Sequence, residues 1–232
     1  MGKSIAIITA RGGSKRIPRK NIKGFCGKPI IAYSIEAALK SEIFDEVMVS
    51  TDDEEIAEIA KRYGAKVPFL RSKENSSDYA TTADVIKEVI LQYGKMGVEI
   101  DFYCCLYPTA PFVTGELLRR AKEKMYEDSA DFLTPVARLK YPAQRCFIML
   151  DKQIRKKWPE YQNVRTQDLE PLYYDCGQFY MGKADKILTV AYEDRNMTGI
   201  EIDNKYVQDI DTLEDWIIAE SKYQRLRDAN EI

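Results

Sequence analysis

The chain has 232 residues, enough for one large α/β domain or a domain with a small appendage, but not for two full domains. Its 35 basic and 37 acidic side chains leave a net charge of −2, which excludes a general nucleic-acid binder held by phosphate neutralisation, and 45% hydrophobic content is that of a globular fold. Histidine is absent and the five cysteines form no C-x-x-C pair, which removes Ser-His-Asp and Cys-His nucleophiles, histidine bases and a tetrahedral zinc site, leaving carboxylates, lysines, arginines or a metal to do any chemistry.

No charged-then-apolar leader precedes Ile5, and no apolar run approaches the roughly 20 residues of a bilayer span, so a cytoplasmic protein with no membrane partner is expected. Residues 4–9 form a β-branched apolar run that ends in Ala10-Arg11-Gly12-Gly13, a buried strand feeding a glycine-rich turn. Helical spacing of Ile31, Ile35, Ala38 and Leu39 follows Pro29, and a second strand is expected at 46–50. Thr51-Asp52-Asp53-Glu54 has the acceptors and acidic first turn of a helix start; Ile56, Ile59, Ala60 and Tyr63 share one face, and Gly64 closes it. A short strand at 67–70 comes next. Thr81-Thr82-Ala83-Asp84 reads as a capping box before a helix with Val85, Ile86, Val89, Ile90 and Tyr93 inward. Residues 102–107 are then the expected central strand, 115–128 a helix and 132–136 another strand. The alternation implies a three-layer α/β fold with a mainly parallel central sheet and ligands in loops at the carboxyl ends of its strands. From 138 to 171 the rhythm lapses into an inserted excursion within a single 1–232 domain. Strands return at 177–181 and 199–202, and Thr212 and Asp215 open a last helix with Leu213, Trp216, Ile217 and Tyr223 expected inward.

Two constellations could carry chemistry. The loop at 11–21 sets five cations and two glycines directly after a strand; backbone amides at glycine can approach a phosphate closely and Arg and Lys neutralise it, so a triphosphate suits it better than solvent alone. It is neither a Walker loop, since 24–28 lacks the glycine spacing and Pro29 stands where Ser or Thr is required, nor a dinucleotide fingerprint. Near the other end, Asp209 and Asp211 flank Ile210, so in an extended segment both carboxylates point the same way and could share one hard cation such as Mg²⁺ with a bound triphosphate. Capping of the last helix is the competing role for that pair. Asp52 and Asp53 are assigned to capping, outside the site.

Taken in order, A-R-G-G-S-K-R-I-P-R-K-N-I at 10–22, G-K-P-I-I at 27–31, V-S-T-D-D-E-E-I-A at 49–57, F-L-R at 69–71, S-D-Y-A-T-T at 77–82, Y-P-T-A-P at 107–111 and Q-D-I-D-T at 208–212 resemble the bacterial CMP-sialic acid synthetases over most of the chain. Tyr107, where sialate enzymes commonly carry glutamine, and T-Q-D-L-E-P-L-Y-Y-D-C-G-Q-F-Y at 166–180 resemble the pseudaminic acid cytidylyltransferase branch more closely. The resemblance implies a Rossmann-like nucleotidyltransferase fold and transfer of CMP from CTP to an acidic nine-carbon sugar. Pseudaminic acid is the expected acceptor; N-acetylneuraminate and legionaminate are its rivals, and a non-catalytic nucleotide-binding module is the alternative from another class.

It further implies that Arg11 and Lys20 contact the CTP phosphates beside Gly12, Gly13, Ser14 and Lys15, that Asn21 places the nucleotide, and that Arg71 with Ala80, Thr81 and Thr82 reads cytosine. Asp209 and Asp211 would hold Mg²⁺, and Arg11, Lys20 and Asp211 would be the catalytic set. The sugar site is expected at Tyr107, Gln144, Arg145, Arg165, Asp175, Gln178 and Tyr180, because an acidic acylamino sugar needs a cation for its carboxylate and polar groups for its hydroxyls and amides. The family's use of such an excursion to embrace a second subunit implies a homodimer, and its pathway implies surface-glycan or flagellin glycosylation.

Overall fold

The computed structural model describes residues 2–232. The sheet begins with β1 (Lys3–Thr9), followed by a miniature hairpin of β2 (Gly24–Phe25) and β3 (Lys28–Pro29), then α1 (Ile30–Ser41), β4 (Glu46–Ser50), α2 (Glu54–Arg62), α3 (Thr82–Lys95), β5 (Ile100–Leu106), α4 (Gly115–Glu127) and β6 (Phe132–Arg138). The excursion contributes a hairpin of β7 (Phe147–Leu150) and β8 (Gln153–Lys156); β9 (Tyr173–Asp175), β10 (Phe179–Lys183), α5 (Ala184–Thr189), β11 (Met197–Glu201) and α6 (Leu213–Asp228) complete the chain.

The main sheet runs in the order β11-β6-β10-β5-β1-β4, with β9 added to β6. β1 pairs in parallel with β4 and β5, and β6 with β11, while β10 is inserted antiparallel between β5 and β6. Period-two alternation divides β1: Ala6 and Ile8 enter the core beneath α1, α2 and α4, whereas Ile5 and Ile7 pack with α3 and α5 on the other face. These are the expected three layers and mainly parallel sheet. A third cluster joins Phe25, Tyr33, Phe112 and Trp216, so α6 closes against the β2–β3 hairpin, and it also buries Ile17 and Ile210.

Two expectations need correction. Residues 67–70 form no strand: only Lys66 makes an isolated bridge, to Met48, and Pro68 has no N–H to continue a ladder. On α6, Trp216 and Ala219 are buried and Tyr223 partly so, but Leu213 and Ile217 are 57% and 67% exposed. The inward face is set by Trp216, Ala219, Tyr223 and Leu226, spaced by three and four residues; Ile217 lies about 100° away from Trp216.

Candidate functional site

The loop after β1 is braced by acids on the neighbouring strand end. Asp52 accepts the Gly12 amide at 2.8 Å, and Asp53 caps α2 by accepting the Ile56 amide at 3.0 Å while its carboxylate also takes the Arg19 guanidinium. That guanidinium hydrogen bond holds the Asp53 carboxyl below the usual range. A Cβ on Gly12 would fall 2.7 Å from the Asp53 carboxylate, so glycine is required there for the close approach of this brace. Asn21 is buried and donates to the Arg11 carbonyl at 2.8 Å, tying the two ends of the loop together. The capping assigned to this acidic pair holds for Asp53; Asp52 has the further role of positioning the loop, which no local pattern signalled.

The braced loop frames a cavity of about 480 Å³ at the carboxyl ends of β1 and β5. Arg11, Ser14, Lys15, Lys20, Asn21, Arg71, Ala80, Thr82, Tyr107 and Asp211 line it, so residues widely separated in sequence converge. Gly12, Gly13 and Thr81 lie just outside: the Gly12 amide is engaged by Asp52, and the Thr81 hydroxyl caps α3 in a full capping box with Asp84. Four loop cations face the cavity, Arg11, Lys15, Arg16 and Lys20, while Arg19 turns to Asp53 and Glu55. Two carboxylates answer them. Arg11 meets Asp78 at 2.8 Å and Lys15 pairs with the same group, whose carboxyl is thereby lowered. Arg16 and Lys20 approach Asp211 at 2.8 and 3.6 Å, and the Lys20 ammonium donates to the Ile210 carbonyl at 2.7 Å. Asp78 belongs to the S-D-Y-A-T-T motif at 77–82, in which no local pattern distinguishes it as a partner of the loop cations.

Arg71 is only 8% exposed and has no carboxylate partner among the described residues; Ser50 fixes it through its hydroxyl at 2.9 Å and its carbonyl at 2.5 Å, and burial lowers the guanidinium's pKa. A buried guanidinium held on one side in this way presents donors to an acceptor such as a base carbonyl.

A second cavity of about 720 Å³ shares Thr82 and Tyr107 with the first. The Tyr107 and Thr82 hydroxyls are 2.9 Å apart, Tyr107 meets Tyr180 edge to face at 5.6 Å, and Tyr180 donates to Asp175 at 2.9 Å. Burial raises the pKa of both tyrosines, so they act as neutral donors and acceptors. Of the expected sugar residues, Tyr107, Asp175 and Tyr180 line this cavity. Gln178 does not line it: the side chain is buried, donating to the Tyr206 carbonyl at 2.6 Å with its Oε1 unpartnered. Gln144, Arg145 and Arg165 remain on the excursion. Gln144 donates to the Glu170 carbonyl at 3.0 Å, Arg145 is spent on the Tyr161, Gln162 and Val164 carbonyls, and Arg165 pairs with Asp168 at 2.7 Å.

Asp209 is exposed and Asp211 half-buried on either side of buried Ile210. No group of three or more acidic, cysteine or histidine ligands gathers among the described residues. A dication here would draw on these two carboxylates, with phosphate oxygens and water completing its shell, a ligand set that suits Mg²⁺.

A family profile described as cytidylyltransferase matches residues 5–212. The chain is 42% identical over 224 residues to pseudaminic acid cytidylyltransferase of Campylobacter jejuni, covering 96% of this chain and 97% of that protein. It is 34% identical over 224 residues to CMP-N,N'-diacetyllegionaminic acid synthase of Legionella pneumophila, covering 93% and 94%. Its fold is like that of a CMP:2-keto-3-deoxy-manno-octonic acid synthetase complexed with CTP, with TM-score 0.71, 19% identity and coverage of 98% of this chain and 100% of that one.

Proposed function

The chain belongs to the cytidylyltransferase family, and from that membership we propose the reaction and the residues that carry it. It is a nucleotidyltransferase that transfers CMP from CTP to an acidic nonulosonic sugar, with pseudaminic acid the acceptor favoured by the relatives at highest identity reported above. The observation that carries the residue assignments is the cavity in which the cations at 11, 15, 16 and 20, the buried Arg71 and Asp211 all face one space adjoining a second, tyrosine-lined cavity.

In this reading Arg11, Lys15 and Lys20 hold the triphosphate with Ser14, and Arg71 with Ala80 and Thr82 meets the cytosine. The sugar's anomeric hydroxyl attacks the α-phosphorus in line: a new P–O bond forms, the bond to the bridging oxygen breaks, and its electron pair leaves with pyrophosphate. In this proposal Lys20 and Arg11 neutralise the charge gathering on that leaving group. The proton of the attacking hydroxyl passes to a carboxylate or to solvent; of the carboxylates, Asp211 lines the phosphate cavity and Asp175 the sugar cavity. Mg²⁺, held by Asp209 and Asp211, would supply Lewis-acid neutralisation of phosphate charge. The Thr82–Tyr107–Tyr180–Asp175 chain carries the acceptor side.

The excursion supports a homodimer. Its hairpin exposes Phe147, Met149, Leu150 and Ile154, an apolar set that the described residues leave uncovered. No helix among the described residues is long and apolar enough to cross a membrane. Pyrophosphate release from CTP tests the assignment with pseudaminic, N,N'-diacetyllegionaminic and N-acetylneuraminic acids. Turnover greatest with pseudaminic acid is expected; release with none of them, or with another nucleoside triphosphate in preference to CTP, would overturn it.

A further inference from the structure

The two cavities meet at one place: among the described residues, only Thr82 and Tyr107 line both. A hydroxyl that attacks a phosphorus in the first cavity, on a sugar held in the second, has to stand at that junction. The chain fixes Tyr107 there from both sides. Its amide donates to the Gln178 carbonyl at 2.9 Å, and its carbonyl accepts from the buried Ser34 hydroxyl at 2.8 Å. Sheet register then supplies a neighbour. Tyr180 on β10 pairs with Cys105 on β5, and side chains two residues apart share a face, so the rings of Tyr107 and Tyr180 meet across the two strands.

A polarity runs through these hydroxyls. The Asp175 carboxylate accepts from the Tyr180 hydroxyl through Oδ2 at 2.9 Å and from the Gly177 amide through Oδ1 at 2.8 Å. An ionised carboxylate only accepts, so the single hydroxyl proton of Tyr180 is committed to it and the Tyr180 oxygen is left to accept from Tyr107. Burial raises the pKa of both tyrosines, and a hydrogen bond between their hydroxyls acts on each as well. With its own proton directed at Tyr180, Tyr107 presents two lone pairs; Thr82 at 2.9 Å takes one, and the other is free for the acceptor's hydroxyl. Asp175 is the one carboxylate lining the second cavity among the described residues, and it is exposed, so a proton delivered to it passes on to water. Asp211 and Asp78, which line the first cavity, are already engaged by Arg16 and Lys20 and by Arg11 and Lys15.

We propose that Tyr107 takes the proton of the attacking hydroxyl and that Tyr180 relays it to Asp175. As the anomeric oxygen forms its bond to the α-phosphorus, its proton moves to the Tyr107 oxygen, the Tyr107 proton to the Tyr180 oxygen and the Tyr180 proton to Asp175 Oδ2. Each tyrosine gains one proton and gives one, so neither becomes charged. The electron pair of the breaking phosphorus–oxygen bond leaves with pyrophosphate. Tyr107 touches the reacting atom; Tyr180 and Asp175 act through it. The relay rests on the reaction assigned above and adds its base.

Single-turnover pyrophosphate release at saturating CTP and pseudaminic acid reads the chemical step. Tyr107→Phe, Tyr180→Phe and Asp175→Asn each keep the shape of the site, and each is expected to slow that step about 100-fold, the lower end of what a general base contributes, with melting temperature and CTP affinity little changed. The double variant Tyr180→Phe with Asp175→Asn should be no slower than either single one, because both interrupt one path. Added acetate should raise the rate of Asp175→Ala and leave that of Tyr180→Phe where it is; a carboxylate that only braced the Gly177 turn would not be replaced by a free ion. Wild-type rates in folded Tyr180→Phe or Asp175→Asn, additive losses in the double variant, or an Asp175→Ala rate that acetate does not raise would overturn the relay and leave the reaction standing. Wild-type protein that releases pyrophosphate with no nonulosonic acid would overturn the functional reading itself.

Discussion

Asp78 stands where an anionic ligand of the loop would be expected, because Arg11 and Lys15 both grip it in the free protein. A triphosphate has to replace that carboxylate before it can use the same two cations, so Asp78 competes with substrate. Asp78→Asn is expected to lower KM for CTP several-fold with kcat little changed, measured by initial rates across CTP concentrations; an unchanged KM would show that the two cations do not meet the phosphates. Asp211 has the opposite character. It faces Arg16 and Lys20 in the cavity, and Asp211→Ala is expected to reduce kcat by at least about 100-fold without lowering the melting temperature. Near-normal turnover with Mg²⁺ would remove Asp211 from the catalytic set. The acidic pair and the basic loop stood out in the sequence as candidate site residues, because charge and spacing are local properties. Asp78 and Asp52 did not, because an acid in a loop declares no partner until the fold supplies one.

Secondary-structure elements were legible wherever a cap and an apolar period agreed. Thr81 with Asp84 and Thr212 with Asp215 both form the full reciprocal capping boxes that the sequence announces. The second box reaches into the site, since the Asp215 carboxylate accepts the amides of both Asp211 and Thr212, at 3.1 and 2.8 Å. Thr212→Ala is therefore expected to cost about 1 kcal/mol in urea unfolding and also to lower kcat, whereas a cap with no tie to the site would leave turnover alone. The failures have equally specific causes. The run at 67–70 follows the Lys66 bridge along the free edge of β4, but the next N–H of a parallel ladder would have to come from Pro68, which has none. On α6, hydrophobicity alone could not tell Trp216, which meets Phe25 at 5.6 Å, from its exposed neighbour Ile217.

Across the whole molecule, the sheet edge is pinned to α3 through Glu46, whose side chain is 6% exposed. It accepts from the Tyr93 hydroxyl and from Lys66 at 3.0 Å. Burial alone would raise the Glu46 carboxyl, but these hydrogen bonds outweigh it and leave the group below the ordinary range. A carboxyl lowered in the folded state stabilises it above the unfolded value, near pH 4.3, and loses that contribution as pH falls through the folded value. Glu46→Gln is thus expected to cost about 2 kcal/mol at neutral pH and to flatten the loss of stability below about pH 4, as read by urea unfolding across pH. Assembly gives a second test at this level. Light scattering should find a dimer, and replacing Met149 and Ile154, 74% and 60% exposed, by Asp should yield monomers; a wild-type monomer would sink the proposal.

By itself the sequence determined the reaction class, through ordered motifs and the exclusion of histidine chemistry, and the alternation of strands and helices, through periodicity and caps. Both are read from short windows in which side-chain type and spacing carry the physics. Only the tertiary structure decided which cations face the cavity, that β10 runs against its neighbours, and that Tyr107 stands where two cavities meet. The basic loop and Asp211 meet because Ile17 and Ile210, 193 positions apart in the chain (210 less 17), are buried in one apolar cluster with Trp216. Burial of apolar surface is non-directional and blind to sequence distance, so local patterns could name both halves of the site but could not join them.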